Sequence, residues 1–544
     1  MSSKRIADTF GVINACTKIA SNFIKLQTTN ANIILKSSNW RWSVKYQPTY
    51  KESVYQHKQD NDIEEIDRLS KQEDKPKHEN VVTSNDASIF ENSSVEASTE
   101  TIHETKIPKV LKESKMPNTR VSRLFHYGGL AIGLGIGALG ESVKRATGVS
   151  DVKTSSVFVN EANIDRLVNK LSRMRGAALK LGQMLSIQGN DMLPGPLEQL
   201  ILKVQDSANY MPGWQMEKIM LTELGQDWRK NFSSFDSNPI AAASIGQVHS
   251  AELASRQMKL AIKIQYPGIV ASIDSDLANL KTLVKVSNLL PKGLYLDNTI
   301  KVARKELLWE TDYIREAECV EKFQTLLKND NNFVVPQVIK ELSTKMVLVC
   351  ERMMGEPLTY AVAYGQELRD QIGENILHLC LRELFEFKFM QTDPNWTNFF
   401  YNKKTRKIEL IDFGASRSFD STFIDNYLNI LKSAAKGDRE GCAYYSERIG
   451  FLTGYESEVM KNAHVDSILT LGEPFAAPIY DFSKQTITNR VRNFIPTMLK
   501  YRLTPPPDET YSLHRKLSGA FLLCAKLGSR VRCRKLLEEV VNEV

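Results

Sequence analysis

The stretch QTDPNWTNFFYNKKTRKIELIDFG, residues 391–414, decides how the chain folds. Asp393 and Asn398 stand five apart, the spacing at which an acid and a metal-binding amide share one catalytic turn. Fourteen residues beyond Asn398 comes Asp412, in Leu410-Ile411-Asp412-Phe413-Gly414. A strand ending in Asp-Phe-Gly brings the carboxylate to where Mg2+ binds. The His-Arg pair that ordinarily precedes the acid is missing, and Gln391-Thr392 stand there instead. An isolated Asp-Phe-Gly carries little weight. Following Asp393 and Asn398 at this distance, it predicts Asp393 as the acid and Asn398 with Asp412 as metal ligands.

Working outward, the next informative element is Leu260-Ala261-Ile262-Lys263-Ile264. A lysine inside an apolar strand needs an anion, because an unpaired buried ammonium is costly. A lysine snorkelling from a sheet edge gives the same pattern. The loop upstream favours a lysine that holds phosphates. That loop lies in PIAAASIGQVHSAEL, residues 239–253, and its Gly246 precedes Lys263 by seventeen residues. Against the kinase pattern Gly-x-Gly-x-x-Gly-x-Val, the key positions hold Ala241, Ala243, Gly246 and Val248, with Ala242 and Ser244 between them. Glu351 and Met353, just beyond a third strand-like run, complete the expected nucleotide contacts. Trp309-Glu310-Thr311-Asp312-Tyr313-Ile314-Arg315-Glu316 clusters the carboxylates. If helical, it puts Asp312 and Glu316 one turn apart on one face, with Glu310 beside it, as a surface helix also would. Glu316 suits an ion pair with Lys263.

The rest of the chain sets the frame. Its 544 residues, 42% hydrophobic, allow one large or two ordinary folded units plus tails. Net charge is +7, from 71 basic and 64 acidic residues. This mild excess suits an anionic membrane or a phosphate ligand and gives no argument for nucleic acid. Seven scattered cysteines form no CxxC or His/Cys cluster, so neither structural zinc nor a disulfide scaffold is expected. Apolar positions from Ile164 to Leu185 repeat at three and four residues, as one buried helical stripe with Lys180 and Gln183 at its edges. Strand-like runs at Gln247–Ala251, Lys259–Gln265 and Lys345–Cys350 precede helical sequence from Asp370. The expected class is α+β, with a small sheet-bearing lobe and a larger helical lobe.

Residues 1–50 carry seven Lys/Arg and one acid, Asp8, the composition of a mitochondrial presequence or of a plain basic terminus. Residues 51–117, polar with only Tyr55 and Phe90 as aromatics, read as a disordered linker. Ser122–Arg145 then holds about 17 apolar residues, short of the roughly 20 that span a bilayer. Gly129, Gly133 and Gly137 give it a smooth face for close helix pairing, including self-pairing in a homodimer. A glycine-rich helix packed on the domain is the alternative.

Taken together, these motifs resemble the UbiB/aarF-domain atypical kinases, and among them the mitochondrial members that support coenzyme Q biosynthesis. The resemblance rests on Lys180-Leu181-Gly182-Gln183, Pro239–His249, Ala261–Gly268, Glu310 with Asp312 and Glu316, Asp393 with Asn398, Asp412–Gly414, and Tyr511–Gly519. It runs from about Ser122 to the C-terminus. It implies an atypical protein-kinase-like two-lobed fold with an N-terminal helical extension. The expected segments are 1–50 targeting, 51–117 linker, 118–146 glycine-rich membrane helix, 147–235 extension, 236–358 small lobe with inserted helices, and 359–544 large lobe.

The resemblance also implies that Lys180 and Gln183 pack over the acceptor site, facing Glu310 and Asp312. It further implies ATP and Mg2+ as cofactors, ATPase activity, and a place on the matrix side of the mitochondrial inner membrane. Partners would be anionic lipid and coenzyme Q biosynthetic proteins or their lipid intermediates. Alanine's Cβ restricts the backbone freedom that glycine gives a phosphate loop. Ala243→Gly is therefore expected to alter ATP-versus-ADP preference and raise autophosphorylation.

No Ala-Pro-Glu closes an activation segment after Gly414, which weakens a peptide-kinase reading. Three functions remain at this level: a membrane-associated ATPase, a phosphotransferase acting on a small molecule, lipid or protein, and a nucleotide-gated scaffold. The complete lysine and metal set argues against the scaffold.

Overall fold

The computed structural model describes residues 112–113, 209–287 and 295–542. The presequence, the glycine-rich helix, Lys180 and Gln183 lie outside these residues, as does most of the linker. Among the described residues no helix is long and apolar enough to cross a membrane.

In chain order, β1 (Lys112–Glu113) pairs in parallel with β2 (Asn209–Tyr210). Two residues of the expected linker are thus held as a strand through backbone bonds, for which their polar side chains are no obstacle. Helix α1 (Gly213–Leu224) leads through a 3-10 turn at Trp228–Asn231 to β3 (Phe232–Phe235), β4 (Ala241–Ala242), β5 (Gly246–Leu253) and β6 (Lys259–Gln265). Helices α2 (Ile269–Ser287), α3 (Leu296–Glu310) and α4 (Tyr313–Leu326) follow, then β7 (Phe333–Val334), β8 (Val347–Glu351) and β9 (Glu356–Pro357).

The small-lobe sheet runs β3-β5-β6-β8, with β4 also on β5, all antiparallel. It begins at Phe232, four residues ahead of the expected boundary at 236. Strand β6 alternates cleanly. Leu260, Ile262 and Ile264 are fully buried on one face, which sends Ala261 and Lys263 to the other.

The large lobe contains α5 (Gln366–Phe385), β10 (Phe389–Gln391), β11 (Phe399–Asn402), β12 (Lys407–Leu410), β13 (Ser416–Ser418), α6 (Ser421–Lys436), α7 (Arg439–Ile449), α8 (Glu458–Ala476), α9 (Ile487–Tyr501), α10 (Asp508–Leu527) and α11 (Cys533–Asn542). Caps set the sharp turns of its helical stack. Asp420 and Asp438 accept the amides of Phe423 and Gly441, while Gly437 and Gly450 end α6 and α7 at φ 72° and 90°. One continuous hydrophobic core joins the lobes, from Ile262 through Phe323 and Phe413 to Leu377 and Leu513. The class is α+β with the two-lobed kinase-like arrangement.

Two small antiparallel ribbons position the chemistry. In the hairpin of β11 and β12, Phe399 pairs with Leu410, and the Ile411 amide donates to the Asn398 carbonyl at 3.2 Å. Asn398 therefore lies across from the start of Asp-Phe-Gly. In the other ribbon, Gln391 of β10 pairs with Ser416 of β13, and the Thr392 amide donates to the Ala415 carbonyl. The ribbons bracket the two motifs, so 14 residues of sequence collapse into one cleft wall.

Candidate active site

Lys263 reaches across the cleft from β6. Its Nζ lies 2.7 and 2.9 Å from the two carboxylate oxygens of Glu316 on α4, and 3.6 Å from Asp412 Oδ1. Glu316 is 2% exposed, Lys263 16% and Asp412 35%, so the pair sits behind a carboxylate that opens onto the cleft. Burial opposes the Lys263 charge, yet the Asp412 and Glu316 carboxylates hold its pKa well above the ordinary value. Burial also raises the Glu316 carboxyl, to about 7, against the lowering effect of Lys263. The two directions compete for one proton. We assign it to Lys263, because Asp412 adds a second carboxylate beside the ammonium. Tyr313, fully buried, places its ring 5.2 Å from Nζ and closes the far side.

Helix α4 does more than carry Glu316. Asp312 does not belong to the helix: it is extended, at φ −105° and ψ 93°, and its side chain accepts the Arg315 amide as an N-cap. The expected shared helical face with Glu316 is therefore replaced by a cap, with Glu310 ending α3 just before it. A short acidic side chain at the break satisfies an orphan amide better than a helical position would. Arg315 donates to the carbonyls of Gly414 and Ser416. Phe413 packs on Phe323 with ring centroids 5.1 Å apart. Gly414 leaves room for Glu316, whose Oε2 would lie 3.2 Å from a Cβ there. The helix thus latches all of Asp-Phe-Gly and aims Asp412 at Lys263.

The alanine loop is a tight hairpin. Ala241 pairs with Val248 and Ala242 with Gln247, and the Ala243 amide donates to the Gly246 carbonyl at 2.8 Å. Ala242, Ala243, Ser244 and Val248 are half-buried, and Ala241 is exposed. Gly246 is buried, and a Cβ there would come within 2.5 Å of the Ile264 carbonyl and 2.7 Å of the Tyr313 hydroxyl. This glycine permits close strand approach beside the Lys263 pair. Behind the loop, the Met211 amide donates to Gln247, which contacts His249 at 2.8 Å. His249 in turn bonds the Asp236 carbonyl. This buried chain stiffens the hairpin. Glu351 ends β8 and accepts the Gln337 amide, and Met353 lies in the link to the large lobe.

Asp393 accepts the Asn395 amide at 3.2 Å, and Asn398 is 9% exposed at the end of a 3-10 turn. Sequence reasoning missed what holds this loop. Arg515 of α10, 3% exposed, donates to the Thr392 carbonyl and hydroxyl at 3.2 Å each, and to Glu306 of α3 at 2.8 Å. Burial opposes the Arg515 charge, but Glu306, Asp393 and Glu310 together raise its pKa. One guanidinium therefore senses both Asp393 and Glu310. It ties down the residue just before Asp393 from more than a hundred residues away. The signal was present in the Tyr511–Gly519 motif, but nothing in the sequence says what that motif touches.

The donor set fits Mg2+. Asp412 offers carboxylate oxygens and Asn398 an amide oxygen, and hard oxygen donors from one or two residues, completed by phosphates, are how this ion is held in nucleotide sites. Among the described residues no cluster of three His, Cys, Asp or Glu exists that would hold an ion unaided.

Residues 203–446 match the ABC1 atypical kinase-like domain. Over 453 residues the chain is 52% identical to a Schizosaccharomyces pombe protein named "Atypical kinase COQ8, mitochondrial", covering 83% of this chain and 74% of that one. The Saccharomyces cerevisiae protein of the same name is 51% identical over 448 residues, covering 82% and 89%. A Danio rerio protein, "Atypical kinase COQ8B, mitochondrial", is 48% identical over 442 residues, covering 80% and 71%.

Proposed function

Because the chain belongs to the ABC1 atypical kinase-like family, we propose that it is a mitochondrial, Mg-ATP-dependent ATPase that supports coenzyme Q biosynthesis. The observation that carries this reading is the closed contact of Lys263 with Glu316 and Asp412. In this reading Lys263, fixed by Glu316, grips the phosphates. Asn398 and Asp412 hold Mg2+, which neutralises charge on them. Asp393 orients the attacking hydroxyl or water. The hairpin of Ala241–Val248 covers the nucleotide, with Glu351 and Met353 at its inner edge. Lys180 and Gln183, outside the described residues, would act on the acceptor side together with Glu310 and Asp312.

Turnover without a peptide acceptor is favoured by the short run from Gly414 to α6. Only β13 intervenes before the helix starts at Ser421, which leaves no length for a peptide platform. The glycine-rich helix would bring the protein to anionic lipid on the matrix face of the inner membrane, alone or paired with a second copy. There it would meet the coenzyme Q enzymes or their lipid intermediates.

The full chain is the test material. Phosphate release from Mg-ATP, raised by liposomes containing anionic lipid and abolished by EDTA, with no label passing to added acceptors, is the expected result. Stoichiometric labelling of an acceptor would make it a phosphotransferase instead, and nucleotide binding without release would make it a scaffold. In the same assay Ala243→Gly shifts the ATP/ADP affinity ratio by at least about threefold and raises self-labelling, because a freed Ala243–Gly246 turn lets amides approach phosphate. Unchanged affinities and labelling would refute that role for the loop.

A further inference from the structure

A second site lies in the large lobe. A cavity of about 290 Å³ opens among α6, α8, α9 and α10. Ile430, Ile468, Phe475 and Phe521 line its body. Arg502, just past α9, lines its polar end with His464 and His514. No described Asp or Glu pairs with Arg502, and its Nε is buried without a hydrogen-bond partner among the described residues. The other arginine on the wall, Arg515, is already paired with Glu306. Burial pushes His464 down to about 3 and His514 to about 4, so neither adds charge near neutral pH. The cavity therefore has an apolar body and one unmatched positive charge.

We propose that this cavity binds a single-chain amphiphile with one carboxylate, its head on Arg502 and its hydrocarbon body among Ile430, Ile468, Phe475 and Phe521. A guanidinium fork matches a carboxylate with two parallel hydrogen bonds. One free cation calls for a monoanion, since a doubly charged phosphate would leave a buried charge unbalanced. The volume is roughly twice that of a cavity that takes up benzene, which admits about ten to twelve heavy atoms.

The site has a direct line to the nucleotide cleft, a coupling that rests on the function proposed above. Helix α10 is the shared wall. On one side it gives His514 and Phe521 to the cavity. Arg515 lines the cavity and also holds Thr392, while on the far side Lys516 donates to Gln391 at 3.3 Å and Gly519 abuts Pro394 so closely that a Cβ would overlap the ring. Filling the cavity shifts this helix against the segment 391–394.

Decanoate, with twelve heavy atoms, is the probe, and titration calorimetry on the full chain is the measurement. The expected result is saturable binding, at least tenfold weaker in Arg502→Gln, while decanol binds parent and variant alike. Ile468→Phe, which fills the cavity and keeps Arg502, weakens both probes. Decanoate also shifts Mg-ATP affinity at least twofold in the parent and not in Arg502→Gln. Absent binding, or binding indifferent to both substitutions, overturns the site. Saturable binding with unaltered Mg-ATP affinity overturns the coupling. Asp412→Asn leaves decanoate binding intact, so failure of the nucleotide reading and failure of this site are separable.

Discussion

Replacing Asp412 by Asn lowers phosphate release from Mg-ATP by at least ~100-fold, about 2.7 kcal/mol of lost transition-state stabilisation. The fold survives the change. Asp412 is a third exposed, and among the described residues its carboxylate accepts one hydrogen bond, from the Gly414 amide at 3.1 Å, which an asparagine oxygen also accepts. Its contact with Lys263 is 3.6 Å and partly solvated, so the loss in stability stays below ~1 kcal/mol. What disappears is the negative charge with which this residue would hold a divalent ion. Steady-state release across a Mg2+ series, with a urea unfolding curve beside it, measures both quantities. Parental turnover in the variant would remove the basis for the nucleotide site.

Arg515→Met acts on stability instead. The side chains of Arg515 and Glu306 are each 2% exposed, and the guanidinium also donates both of its bonds to Thr392. Removing it strands a buried carboxylate, which costs ~3–5 kcal/mol. Arg515 Nη1 and Glu306 Oε1 have no hydrogen-bond partners among the described residues, so the pair is not fully satisfied even in the parent. Arg515→Met with Glu306→Leu should therefore recover most of the lost stability. It should not recover turnover, because Thr392, beside Asp393, keeps its bonds to the Ala415 carbonyl but loses the two that tie it to α10. Denaturant midpoints of the three proteins check this, and a single variant within ~1 kcal/mol of the parent would contradict it.

The contrast between these residues shows what a sequence carries. Lys263 was legible because strand alternation exposes a charge among apolar neighbours, and a buried charge demands a partner. Asn398 and Asp412 were legible because a short antiparallel hairpin turns a fixed spacing into spatial proximity. Strand β6 begins and ends where its pattern does. Strands β3, β10 and β13, with the sequences FSSF, FMQ and SRS, are too short to show a period. The place of Asp312 stayed open, because an acid four residues before another fits a helix face and a cap equally well. Arg515 was out of reach because its partners Thr392 and Glu306 are 123 and 209 residues away, and no local rule links them. The polar chain from Met211 through Gln247 to His249 is non-local in the same sense.

The latch on Asp-Phe-Gly has a consequence for inhibitor chemistry. Phe413 is 1% exposed, packed at a tilt against Phe323, and the backbone on either side of Ala415 is pinned by Arg315. Drugs that need this phenyl ring to swing out and vacate its slot must displace about 1.5–3 kcal/mol of burial and two charge-assisted bonds before they gain a contact. Compounds that leave the ring in place and compete for the space in front of Lys263 meet no such barrier, so selective chemistry against this protein starts there.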